Sequence, residues 1–131
     1  MRAVLAAILL LSLTLPAVAA PEPPVNVRVD VTLLSMEYKS CDVVVPRNST
    51  GGDALDAAVA TGCLDEWTAG RYDGLGRYVV SIDRVQTILP TYWAMSVNGT
   101  YSDLGMDLLR LHEGHVLSFD YRCWACEVRL P

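Results

Sequence analysis

A chain of 131 residues with 52% hydrophobic residues, 10 Lys and Arg against 15 Asp and Glu, and a formal net charge of −5 fits one small domain with an acidic surface. That balance excludes nucleic acid and anionic membrane surfaces as partners, because both require clustered positive charge. The four cysteines, Cys41, Cys63, Cys123 and Cys126, are an even number and all lie beyond the apolar N-terminal run, a usage that points to disulfides and an oxidising compartment.

Arg2 precedes an apolar run from Ala3 to Leu15, and Pro16 and the small residues Ala17-Val18-Ala19-Ala20 follow it. This is the layout of a secretory signal peptide. The run is too short for a membrane anchor and leads into Pro21-Glu22-Pro23-Pro24 rather than basic residues. The expected division is a signal peptide over residues 1–19, a Pro-rich leader over 20–24 and a single domain over 25–131. The protein is then secreted or held at the cell surface, with no membrane span after cleavage.

Residues 25–33 alternate, with Val25, Val27, Val29, Val31 and Leu33 facing a core and Asn26, Arg28, Asp30 and Thr32 facing water. The chain should turn over Ser35 to Ser40 and return as a strand from Cys41 to Val45, which Pro46 ends. Asn48 to Gly52 reads as a loop. Asp53 to Thr61 reads as a helix of about three turns, capped by Thr50 or Gly52 and closed by Gly62. Leu55, Ala58 and Val59 form its apolar stripe. Three glycines between Trp67 and Arg77 suggest an irregular loop. Tyr78 to Ile82 is a strand, and an undefined linker runs to Pro90.

Tyr92 to Val97 is an aromatic strand, and Asn98-Gly99 is the signal for a two-residue type I′ turn, which needs positive φ at both positions. Val97 should therefore face Thr100. After a Leu-rich segment, Glu113-Gly114 turns the chain into a last alternating strand, with Leu117, Phe119 and Tyr121 on the core side. Strand, strand, helix and further strands is the order of an α+β β-grasp (ubiquitin-like) fold, a mixed sheet carrying one helix on one face. In that fold a Cys41–Cys63 bridge is geometrically natural and leaves Cys123 and Cys126 for each other.

The segments Tyr78 to Asp83, Tyr92-Trp93 through Val97-Asn98-Gly99, Gly105, and Leu111 to Tyr121 resemble the transcobalamin C-terminal-like domain family. The resemblance implies a β-grasp fold and a binding role. In the cobalamin carriers such a domain closes over a corrinoid held by a separate helical barrel. A corrinoid, another small ligand or an extracellular protein partner is the implied occupant, and no resident cofactor is expected.

Trp67, Tyr72, Leu75 and Tyr78 place aromatic and apolar groups in and beside the glycine-rich stretch, either to hold a flat ligand with the neighbouring Asn98 hairpin or to cap the core. His112-Glu113-Gly114-His115 reads as a turn rather than a metal site, because Gly114 breaks the helix that a zinc motif needs. Cys123-Trp124-Ala125-Cys126 has the spacing of a redox dithiol, so a small secreted thiol-disulfide oxidoreductase is the alternative function. A structural disulfide is the preferred reading, since the pair follows a strand rather than opening a helix. Asn48-Ser49-Thr50 and Asn98-Gly99-Thr100 match the glycosylation pattern, which matters only in a host with the machinery. No nucleophile turn or dinucleotide loop points to an enzyme.

Overall fold

A computed structural model describes residues 22–33 and 37–124. The signal peptide expected over 1–19 and Cys126 lie outside the described residues. Among the described residues nine elements follow one another: β1 (Val25–Thr32), β2 (Tyr38–Val45), α1 (Gly51–Ala60), β3 (Trp67–Tyr72), β4 (Gly76–Ile82), β5 (Val85–Gln86), β6 (Thr91–Val97), β7 (Thr100–Tyr101) and β8 (Val116–Cys123).

The main sheet has five strands in the order β2-β1-β8-β6-β7. β1 and β8 run parallel, with Val29 beside Leu117 and Val31 beside Phe119, while β1–β2, β8–β6 and β6–β7 are antiparallel. This mixed sheet with one helix is the expected β-grasp arrangement. The valines of β1 point inward as their alternation requires, and Val29, Val31, Leu117 and Phe119 are buried with Leu55 and Ala58 of α1. Each large side chain of this kind contributes roughly 1.5–3 kcal/mol when fully buried.

The helix starts where its chemistry allows. Thr50 is the N-cap, its hydroxyl accepting from the Asp53 N–H while the Asp53 carboxylate accepts from the Thr50 N–H. At the other end Cys63 is bonded to Cys41, with Cα atoms 5.9 Å apart. The bridge ties the end of the helix to the middle of β2 and, from the length of the loop it closes, stabilises by roughly 3 kcal/mol.

Three expectations are corrected. The stretch from Trp67 to Arg77 is not an irregular loop. It forms β3, a turn and the start of β4, paired from Trp67↔Ile82 to Tyr72↔Gly76. The linker beyond Ile82 contributes β5, so β3-β4-β5 is a second, three-stranded sheet. The physical reason is that β3 is an edge strand whose six residues are exposed or half-exposed, so no run of apolar residues marks it. Asp30 is the third correction. It is buried, because Ser40 Oγ donates to it at 2.7 Å and Arg28 Nε at 3.3 Å.

Candidate functional site

The small sheet is fixed against the large one by polar contacts at its short strand. Trp93 on β6 donates its indole N–H to the Val85 carbonyl at 3.1 Å. The Tyr121 hydroxyl on β8 donates to the Gln86 carbonyl at 2.7 Å and lies 2.8 Å from Thr91 Oγ1. The Trp93 and Tyr121 rings meet at 5.1 Å. Both aromatic side chains are thus held at one end by a hydrogen bond and along their length by packing.

This arrangement leaves a cleft of about 520 Å³ between the sheets. Tyr72 and Tyr78 of the small sheet, Tyr92, Trp93 and Tyr101 of the large sheet, and Trp124 just after β8 all line it. Val79, Leu89, Thr87 and Thr91 complete the lining, which contains no charged side chain. Tyr72 and Tyr78 stack with centroids 4.3 Å apart. Gly70 makes that possible, because the Tyr78 ring lies across it and a Cβ there would collide with the ring atoms. Trp124 is placed by its backbone N–H, which donates to the Pro90 carbonyl at 3.2 Å, directly after the disulfide-bonded Cys123.

Two of the five expected site residues, Tyr72 and Tyr78, come together in the cleft. The other three lie elsewhere. Trp67 donates its indole N–H to Asp56 on α1 at 2.8 Å and carries the Arg77 guanidinium 5.4 Å above its ring. It braces β3 against the helix. Leu75 is exposed at the tip of the β3–β4 hairpin. Asn98 serves the turn, its side-chain oxygen accepting from the Val116 N–H at 2.9 Å.

Tyr92, Trp93, Tyr101, Trp124 and Leu89 were not singled out by the sequence. Tyr92, Trp93 and Tyr101 were legible as strand residues, but their approach to Tyr72 and Tyr78 depends on a second sheet that the sequence does not announce. The density of aromatic residues from Tyr92 to Tyr101 is the one signal that pointed there.

The charged groups serve to hold the frame. Asp107 accepts from the Arg77 backbone N–H at 2.8 Å and from its Nη2 at 2.8 Å, fastening β4 to the segment after β7. The Arg77 hydrogen bonds outweigh burial and keep the Asp107 carboxyl below its usual range, while the same contact raises Arg77. His115 Nδ1 accepts the His112 N–H at 3.2 Å, and burial, then the neighbouring His112, lowers the pKa of His115. Glu113 is engaged by Asn26 through its N–H at 2.7 Å and Nδ2 at 2.9 Å, and the side-chain bond first, then the backbone one, lowers its pKa. Among the described residues no three His, Cys, Asp or Glu side chains gather as a metal site would require. Asn48 is exposed, with its carbonyl accepting from Arg110 at 3.0 Å.

The family model for a domain of unknown function, DUF4430, matches residues 52–122. Haptocorrin in complex with Cbi has a similar structure, with a TM-score of 0.70 at 17% identity over 77% of this chain and 25% of the haptocorrin chain. The chain thus spans about a quarter of that relative. A protein from Ruminococcus gnavus ATCC 29149, provisionally described as metal binding, superposes with a TM-score of 0.59 at 9% identity over 76% of this chain and 97% of its own. No curated protein matches the sequence. These likenesses show a shared fold, the one that the resemblance to transcobalamin C-terminal-like domains implies.

Proposed function

The chain belongs to the DUF4430 family, and from that premise we propose that it is a non-enzymatic binding domain, working outside the cytoplasm, that takes a small molecule in the aromatic cleft between its sheets. One observation carries the reading. Five aromatic residues from the two sheets, with Trp124 just after β8, line one uncharged cleft of about 520 Å³, a volume and lining suited to a small ligand. The fold shared with haptocorrin, whose structure holds Cbi, makes a corrinoid the first ligand to try. Export is supported by the signal-peptide layout of residues 1–19 and by the Cys41–Cys63 bridge. In a host with the machinery, Asn48 and Asn98 are its acceptors for glycans.

The metal-binding description of the Ruminococcus gnavus relative finds little support in these side chains, since the Glu113 carboxylate beside His112 and His115 is already engaged by Asn26. An extracellular protein partner is served less well than a small molecule, because the aromatic residues line a concavity rather than a flat face.

The test is a thermal-shift screen of the purified protein against cyanocobalamin, dicyanocobinamide and a general small-molecule set. A saturable rise in Tm that Tyr101→Ala diminishes is the expected result. No shift from any compound, with the protein folded, would count against a small ligand. The alternative, a thiol-disulfide oxidoreductase, draws on the disulfide-bonded Cys123 at the end of β8. Disulfide exchange that Cys126→Ser abolishes would establish it over the binding reading.

A further inference from the structure

We infer that the ligand of the aromatic cleft is a neutral saccharide, a step that rests on the cleft being the binding site. The lining decides first against ions. Its side chains are aromatic, aliphatic or hydroxyl-bearing, with no Asp, Glu, Lys, Arg or His among them. A phosphate or carboxylate leaving water for this surface would meet no opposite charge. A quaternary ammonium group is attracted by ring faces, but it gains most where rings enclose and desolvate it.

Exposure then decides between an apolar ligand and a polar one with an apolar face. Tyr72 and Tyr101 are each 57% exposed and Trp124 is 70% exposed, so the outer side of any occupant stays in water. A wholly apolar molecule would leave much of its own surface wet there, whereas well-formed sites for such molecules cover most of it. A pyranose ring has the matching construction. Its axial C–H groups form a face that rests on an aromatic ring, attracted by the negative ring surface, while its hydroxyls remain hydrated around the edge.

The tyrosine hydroxyls supply the polar half of the match. The Tyr121 hydroxyl, beneath the cleft, is already engaged with Gln86 and Thr91. Those of Tyr72, Tyr78, Tyr92 and Tyr101 make no hydrogen bond to another described residue. They are free to donate to and accept from sugar hydroxyls without breaking any contact that holds the fold. The stacked Tyr72–Tyr78 pair and the exposed Trp124 all line the cleft, so more than one aromatic platform is open to a sugar ring.

The experiment uses the purified protein, its Tyr101→Ala and Trp124→Ala variants, and Tyr38→Ala, an exposed tyrosine on β2 outside the cleft. Tryptophan fluorescence and calorimetric titrations with cellohexaose, xylohexaose, mannohexaose and chitohexaose are run beside titrations with dicyanocobinamide, and circular dichroism checks that each variant is folded. At least one saccharide should bind, roughly threefold to tenfold more weakly in each cleft variant, unchanged in Tyr38→Ala and insensitive to added salt. If dicyanocobinamide binds and loses affinity in the cleft variants while no saccharide does, the saccharide inference is overturned and the cleft stands as a small-molecule site. If a saccharide binds equally to all folded variants, the inference is overturned because the site lies elsewhere. If neither probe class binds, the inference falls together with the reading on which it rests.

Discussion

The carboxylate of Asp83, at the turn between β4 and β5, accepts the ammonium of Lys39 on β2, the edge strand of the other sheet. The same carboxylate accepts the backbone N–H groups of Asp65 at 2.7 Å and Glu66 at 3.4 Å. One side chain therefore gathers the large sheet, the connection after α1 and the small sheet.

Replacing Asp83 with Asn should cost about 1–3 kcal/mol, because Lys39 loses its charged partner while an acceptor for the backbone groups remains. Urea midpoints at unchanged slope measure it. A pH dependence goes with it. Burial pushes the Asp83 carboxyl up, yet the bonds from Lys39, Asp65 and Glu66 together outweigh this and hold it below the ordinary value. Between the folded and unfolded pKa values the unfolded chain binds more protons, so stability rises with pH there. The contribution is complete above the unfolded value of about 3.9 and is lost as pH falls through the folded one. The acid limb of the stability curve should be shallower in Asp83→Asn than in wild type, and parallel limbs would remove Asp83 from the account.

Gly70→Ala addresses the cleft. The added methyl must displace the Tyr78 ring, which lies across this position and stacks on Tyr72. A loss of roughly 1–3 kcal/mol is expected from the overpacking, together with weaker binding of whichever ligand the cleft takes. Wild-type affinity in the folded variant would show that the Tyr72–Tyr78 wall is not used.

Gly99→Val tests the β6–β7 turn. Asn98 has φ 50° and Gly99 φ 83°, both in the left-handed region that a type I′ turn demands. A β-branched residue resists that conformation, and the expected cost is on the order of 1–3 kcal/mol. Unchanged urea stability would contradict the assigned turn.

Arg84→Gly should move stability the other way. Ile82 pairs with Val85 across a two-residue turn in which Asp83 has φ 47° and Arg84 φ 69°. Arg84 is a side-chain-bearing residue in a glycine-favouring conformation, and its only ion pair is the long, exposed one to Glu66 at 3.9 Å among the described residues. Relief of the strained backbone should raise stability by about 1 kcal/mol. A urea midpoint at or below that of wild type would refute it.

The two turns explain what could be read from the residues and what could not. Asn98-Gly99 declares its positive φ values chemically, so the hairpin and its Val97↔Thr100 register are legible from the residues alone. Asp83-Arg84 makes the same kind of turn without that signal, because Asp83 is held there by Lys39 from 44 positions away. The β1 alternation and the helix, for which Thr50 was one of two candidate caps, were legible for similarly local reasons, whereas the Cys41–Cys63 pairing followed from the order of the elements. Gly51 was not. Read as part of a loop, it is the first residue of α1, and a Cβ there would come 3.1 Å from Met106 Cβ. Of the cleft, only the Tyr72–Tyr78 wall was foreseen. The rest depends on how two sheets meet, and no local pattern encodes it.

The parallel pairing of β1 with β8 also sets a timetable. Synthesised from its N-terminus, the chain makes β1 and β2 early, yet Val29 and Val31 have no neighbours on their other side until Leu117 and Phe119 have emerged. Contacts of such long range are slow to close. A nascent chain, whether leaving a ribosome or threading a translocation pore, therefore lacks its central strand pair until almost all of these residues have passed. The fold thus delays its own completion until β8 is available to close on β1.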